Sequence, residues 1–183
     1  MRLNRALEWA AIVVASLAVS FGLIALLSGF FASRDAPGVS GPSGLPGIAF
    51  RDLGDAHLQP GQPHQRYDSS PPTSGAHVVA PVPADRARLS DDQLLEALEL
   101  GNVVVMYGTP TPPPALEALV GQVAYRFSPA LAAAGQAVIL ARRPGTNGLI
   151  GLAWTHMLRV ASPSDPLLKQ FTQYWLGRGA PGR

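Results

Sequence analysis

The side chains through which this chain can do chemistry are few: four imidazoles, His57, His64, His77 and His156, and a serine, Ser74, in the stretch Pro-Pro-Thr-Ser-Gly-Ala-His at 71–77. With no cysteine in the sequence, disulfides, thiolate metal sites and a cysteine nucleophile are excluded. Three kinds of chemistry are open to the segment HLQPGQPHQRYDSSPPTSGAH. His57 and His77, brought together by a folded arm, supply half of a copper or zinc site, with Tyr67, Asp68 or Met106 as further donors. Ser74 is a nucleophile if His77 is its general base and Asp68 or Asp85 orients that base. In the third reading the prolines stiffen a turn, and the hydroxyls and imidazoles bond nearby backbone.

The spacing favours the third. Two histidines twenty positions apart lack the fixed geometry that a helix gives to H-E-x-x-H, and no strand precedes Ser74 as a nucleophile elbow requires. No residue is assigned a catalytic role. His156 sits beside Met157, but neighbours in a strand point to opposite faces, which argues against joint ligation.

The elements that must position these residues follow from periodicity. Ser90 and Gln93 form a capping-box pair that opens a helix. Leu94, Leu95 and Leu98 recur on one face, Glu96 and Glu99 are expected to point away, and Gly101 stops it. NVVVMY reads as a strand buried on both faces. Pro113 and Pro114 open a helix over 115–127 that carries Leu116, Leu119, Val120, Val123 and Phe127 on one side, with Ser128-Pro129 breaking or restarting it. AVILA and LIGLAWTHMLRV read as two strands joined by the 143–148 turn in a hairpin. Ser164-Asp165-Pro166 starts a last helix that buries Leu167, Leu168, Phe171 and Trp175. The fold class is mixed α/β, a small mixed sheet with flanking helices, and a thioredoxin-like arrangement is compatible with that order.

Residues 9–31 form an uncharged run of 23 residues, enough to cross a hydrocarbon core of about 30 Å. Arg2 and Arg5 precede it, so the positive-inside bias leaves the N-terminus in the cytoplasm and all that follows outside. The expected organisation is a cytoplasmic tail at 1–8, a transmembrane helix at 9–31, a Gly/Pro/Ser-rich linker at 32–48, an extracytoplasmic domain at 49–179 and a short tail at 180–183. Charged residues make up only 14% of the chain and form no basic stripe, so no nucleic-acid partner is expected.

The arm, LLEALELGNVVVMYGTP, AVILARRP, LAWTHMLRV and the closing WLGRG together resemble the bacterial domain-of-unknown-function family 3105, over about residues 54–179. The resemblance implies a membrane-anchored or exported protein with no established activity. It places His57, Tyr67, Thr73, Ser74, Gly75 and His77 on the family's first motif. The second motif, Leu-Glu-His-Gly in the family, reads Leu98-Glu99-Leu100-Gly101 here, so Leu100 stands where a third imidazole is expected.

The reading is a single-span protein of the bacterial cytoplasmic membrane, held in the lipid bilayer through residues 9–31. Its outer domain is a binding or accessory module rather than an enzyme, with a membrane or envelope protein as partner. The alternatives are a copper- or zinc-binding domain using His57 and His77, and a cell-envelope hydrolase using Ser74 and His77.

Overall fold

The computed structural model describes residues 44–182. The expected tail at 1–8, the span at 9–31 and the linker up to residue 43 lie outside the described residues. Among the described residues no helix is long and apolar enough to cross a membrane.

Five strands form one mixed sheet: β1 (Ile48–Ala49), β2 (Val103–Tyr107), β3 (Val138–Arg142), β4 (Leu149–Ala153) and β5 (His156–Val160), in the order β1-β5-β4-β2-β3. Only β2 and β3 run parallel; the other pairs are antiparallel. Four helices cover it: α1 (Asp91–Leu100), α2 (Pro114–Val123), α3 (Pro129–Ala133) and α4 (Pro166–Trp175). The sheet's period of two sorts its side chains. Val104, Met106, Ile139, Ile150 and Leu152 pack with α1 and α3, whereas Val103, Val105, Leu140, Leu149 and Val160 pack with α2 and α4.

The first helix forms as its sequence dictates. Ser90 Oγ accepts from the Gln93 N–H at 3.2 Å and the Gln93 side chain accepts from the Ser90 N–H at 3.1 Å. Gly101 closes the helix at φ 107°, a left-handed conformation that costs glycine little. The C-terminal segment then clamps this end, with the Ala180 N–H donating to the Glu99 carbonyl and the Gly177 N–H to the Gly101 carbonyl.

Four local expectations fail for physical reasons. Leu167, expected to be buried by the last helix, is exposed, because Leu168 and Phe171 set the face that packs on the sheet. The helix expected over 115–127 ends at Val123 and a separate short helix follows Ser128. Leu116, Leu119 and Val123 pack on one face of the sheet and Phe127 on the other, which one straight helix cannot achieve. The 143–148 turn makes no hairpin: β4 pairs with β2 rather than β3, and the loop crosses the end of β2, where the Arg143 N–H donates to the Tyr107 carbonyl. Turn residues announce a reversal but not which sheet edge receives the next strand. LIGLAWTHMLRV, expected as one strand, is itself a hairpin that reverses at Trp154 and Thr155. Thr155 has φ 59°, unusual for a β-branched residue. Two arm contacts hold it: its N–H donates to the Thr73 carbonyl and its carbonyl accepts from the Phe50 N–H.

Candidate metal centre

The segment 51–78 lies over α1 with little regular structure, and its own hydrogen bonds shape it. His57 and His77 pair across an isolated parallel β-bridge: the Leu58 N–H donates to the His77 carbonyl at 2.8 Å and the His77 N–H to the Ala56 carbonyl at 3.1 Å. Twenty residues apart in sequence, the two rings stand 5.4 Å apart, edge to face.

The motif residues between them build this bridge. Ser74 is fully buried; its hydroxyl donates to the Arg51 carbonyl at 3.1 Å and accepts from the Leu53 N–H at 3.0 Å. Its partners are therefore backbone groups of the arm, and no hydrogen bond joins it to His77 among the described residues. Thr73 supplies the carbonyl that holds Thr155. Tyr67 donates its hydroxyl to the Ala76 carbonyl; burial, then the charges of Asp92 and Asp91, push that hydroxyl up to about 12, so it stays a donor. Gly75 sits at φ +132°, and a Cβ there would meet the Tyr67 ring at 2.9 Å. Only glycine lets the arm close on the tyrosine.

The floor of the site comes from α1, and here a sequence expectation is reversed. Glu96 and Glu99 do not point away: Glu99 is fully buried and Glu96 is 8% exposed. Glu99 Oε2 lies 3.1 Å from both His57 Nε2 and His77 Nε2, and Glu96 Oε2 lies 3.6 Å from His77 Nε2. One ligand atom from each of His57, His77, Glu96 and Glu99 lies within 4.8 Å of all the others. Asp92, one turn earlier on this face, accepts from the Val78 N–H at 2.8 Å and pairs with His64 Nε2 at 2.7 Å. Burial alone would raise the Asp92 carboxyl, but the Val78 N–H, then the bond to His64 and its charge, outweigh it and hold the group below its usual value. Asp92 thus ties the residue after His77 to α1.

His77 Nδ1 lies 2.9 Å from the Gly75 carbonyl. A carbonyl only accepts, so Nδ1 carries the proton, and in the neutral ring Nε2 presents a lone pair. That lone pair faces carboxylate oxygens. His77 Nε2 and Glu96 Oε2 are both buried without a hydrogen-bond partner, so closeness here is not matched by donor–acceptor alignment. A cation between these atoms would take as ligands His77 Nε2, Glu96 Oε2 and Glu99 Oε2, the last of which also hydrogen-bonds His57 Nε2 at 3.1 Å. A tetrahedral site with bonds of about 2.0–2.1 Å has ligand atoms about 3.3 Å apart, and the separations of 3.1 and 3.6 Å bracket that value. His57 is the half-exposed member, with 36% of its side chain accessible, and marks the route to solvent.

The family model described as protein of unknown function (DUF3105) matches residues 57–182. The chain belongs to this family. The matched region opens at His57 and contains all four residues of the cluster. No curated protein and no solved structure matches the chain.

Other candidates lie elsewhere. Asp68 is exposed, Met106 is packed beneath α1, and Asp85 accepts from the Leu140 N–H. Tyr67 is engaged with the arm. His156 and Met157 do face opposite sides: His156 stacks on Trp175 at 3.9 Å while Met157 joins the core under α1. Leu100, where the resemblance led to the expectation of a third imidazole, is half-buried at the end of α1, one turn below Glu96. Glu96-x-x-Glu99 was the sequence signal for the missing carboxylates, since residues three apart share a helix face.

Proposed function

We propose that this chain is a divalent-metal-binding module that holds its ion with His57, His77, Glu96 and Glu99. The observation that carries the proposal is the convergence, inside the protein, of His77 Nε2 with the Glu99 and Glu96 carboxylates, the ring being held in place by its Nδ1–H on the Gly75 carbonyl. Two neutral imidazoles and two carboxylates balance the charge of a divalent ion, and buried carboxylates need such compensation. Imidazole and carboxylate donors without sulfur suit zinc and copper(II) alike, and the separations of 3.1 and 3.6 Å around His77 Nε2 match ligand edges of a tetrahedral zinc site. The bond from His77 to the Gly75 carbonyl is the outer contact that typically orients a ligating histidine.

Among the three readings open to the arm, the two glutamates move the metal reading ahead. Ser74 keeps the structural role expected of a stiff turn, and its two backbone bonds leave the hydrolase reading without a nucleophile–base pair. The parallel pair β2/β3 with β4 and β5 beyond it is compatible with a thioredoxin-like frame. With no cysteine, such a frame has no dithiol chemistry, so the imidazole–carboxylate cluster is the reactive feature it would carry. The uncharged run at 9–31 with Arg2 and Arg5 before it supports a location on the outer side of the cytoplasmic membrane, as a binding or accessory domain for a membrane or envelope partner.

Elemental analysis of the full-length protein, purified in detergent and dialysed against trace zinc, tests the reading. About one zinc per chain is expected, with loss of the metal in His77→Ala. Metal-free wild type after this treatment would overturn it. A reporter fused after Arg183 tests the location, and activity of that reporter in the cytoplasm would contradict it.

A further inference from the structure

The large hydrophobics left exposed among the described residues are Leu45, Ile48, Val79, Tyr125 and Leu167. Three of them belong to one edge, made by β1 and α4. Leu45 and Ile48 flank Pro46 and Gly47, and these two are fastened to α4. The Trp175 Nε1–H donates to the Pro46 carbonyl at 2.8 Å, and a Cβ on Gly47 would meet the Phe171 ring at 2.6 Å. At 100° per residue Leu167, Phe171 and Tyr174 fall within about 60° of one another, so Leu167 and Tyr174 share the flank of α4 against which β1 lies. The Arg178 guanidinium sits over the Tyr174 ring at 4.3 Å. Of the described arginines only Arg86 pairs with a carboxylate.

Aliphatic, aromatic and guanidinium groups on one edge are the combination that seats a protein at headgroup level, with rings and aliphatic chains in the interface and the cation in water or on phosphate. We infer that this edge rests on an anionic bilayer surface, with Leu45, Ile48 and Leu167 against the lipid and Arg178 on a lipid phosphate. The chain itself brings the bilayer to it. Twelve residues, 32–43, separate the uncharged run from the first described residue, and twelve residues reach at most about 40 Å. The inference rests on the membrane reading of residues 9–31 and adds a second contact between protein and lipid, made by the folded domain.

The sequence has no cysteine, so one introduced thiol carries a nitroxide label at one known place. Full-length Leu167→Cys and Val79→Cys are reconstituted into phosphatidylcholine vesicles containing phosphatidylglycerol. The label's accessibility to oxygen, which concentrates in the bilayer, is compared with that to a water-soluble nickel complex. Both positions are exposed, so neither substitution disturbs packing. Leu167 is far in sequence from the proposed span, so its immersion would not follow from the tether alone. Val79 adjoins Val78, which Asp92 ties to α1 across the sheet from α4. Oxygen should dominate at Leu167→Cys and nickel at Val79→Cys. Adding Arg178→Gln to Leu167→Cys should lower the ratio of seated to free label by about fivefold. Nickel dominance at both positions, with the protein retained on the vesicles, would overturn the seating and leave the membrane reading standing. A label at position 167 shielded from both reagents would overturn it in favour of contact between copies of the chain. Protein that does not stay with the vesicles would overturn the membrane reading beneath it.

Discussion

His77 Nε2 lies 3.1 Å from Glu99 Oε2, both side chains fully buried, while the other ring nitrogen is committed to the Gly75 carbonyl. The arm brings the imidazole and α1 brings the carboxylate. The stability of each depends on what lies between them.

Zinc should therefore stabilise the protein by mass action, by about 2.7 kcal/mol at a free concentration one hundred times Kd. His57→Ala separates ligation from packing. The His57 side chain is half-exposed, so its removal should cost the metal-free protein no more than about 1 kcal/mol, yet it should abolish most of the zinc-induced rise in Tm. Thermal melts with and without zinc check this; an undiminished rise in the variant would exclude His57 as a ligand.

Much of the frame was legible in the sequence because local chemistry sets it. The Ser90–Gln93 box, Gly101 and the uniformly apolar Val103–Tyr107 mark α1 and β2 without reference to anything distant. Pairing was less legible. The choice of β2 over β3 as the partner of β4 depends on a free sheet edge, and the reversal at Thr155 depends on Thr73 and Phe50, far away in the chain. The site was half legible for the same reason. The histidines stood out by type, but Glu96 and Glu99 looked like the solvated side of an amphipathic helix. At about 100° per residue Glu99 lies only about 40° from Leu95, at the margin of the apolar stripe, and the arm that covers this margin has no periodicity to announce it.

Ser74→Ala separates the structural role of the serine from a catalytic one. Removing the hydroxyl strips the Leu53 N–H and the Arg51 carbonyl of a partner, at an expected cost of about 1–3 kcal/mol. Denaturant unfolding should show this loss while zinc content is preserved. A serine-directed fluorophosphonate probe should label neither protein. Labelling of wild type that disappears in Ser74→Ala would restore the hydrolase reading.

His156 gives the fold an acid-sensitive point. Burial lowers its pKa, partly opposed by the bond to the Trp154 carbonyl. The ring thus stays neutral in the folded protein at a pH where the unfolded chain, titrating near 6.5, has taken up a proton. The unfolded state then binds more protons, so stability falls as pH drops below about 6.5, by no more than about 1.4 kcal/mol per pH unit for this one group. His156→Phe keeps a ring against Trp175 and removes the proton site. Relative to wild type, the variant should gain stability between pH 7.5 and 5.5 in denaturant titrations; a constant difference would show that His156 does not titrate differently on unfolding.

Leu100→His places a third imidazole one turn from Glu96. A further nitrogen donor should tighten zinc binding, and the polar ring should cost the metal-free protein about 1–3 kcal/mol if it finds no partner. Melts of the variant should accordingly span a wider interval between zinc-free and zinc-loaded protein than those of wild type. An unchanged interval would place position 100 outside reach of the ion.

Calorimetric titration of zinc into chelator-treated full-length protein, wild type against Glu99→Gln, tests the metal centre most directly. The substitution keeps the shape of the side chain and removes its charge. The metal centre requires one saturable site per chain in wild type and at least a tenfold weaker one in Glu99→Gln, with the variant still folded by circular dichroism. Equal zinc affinity in the two proteins, or no saturable site in wild type, would contradict it.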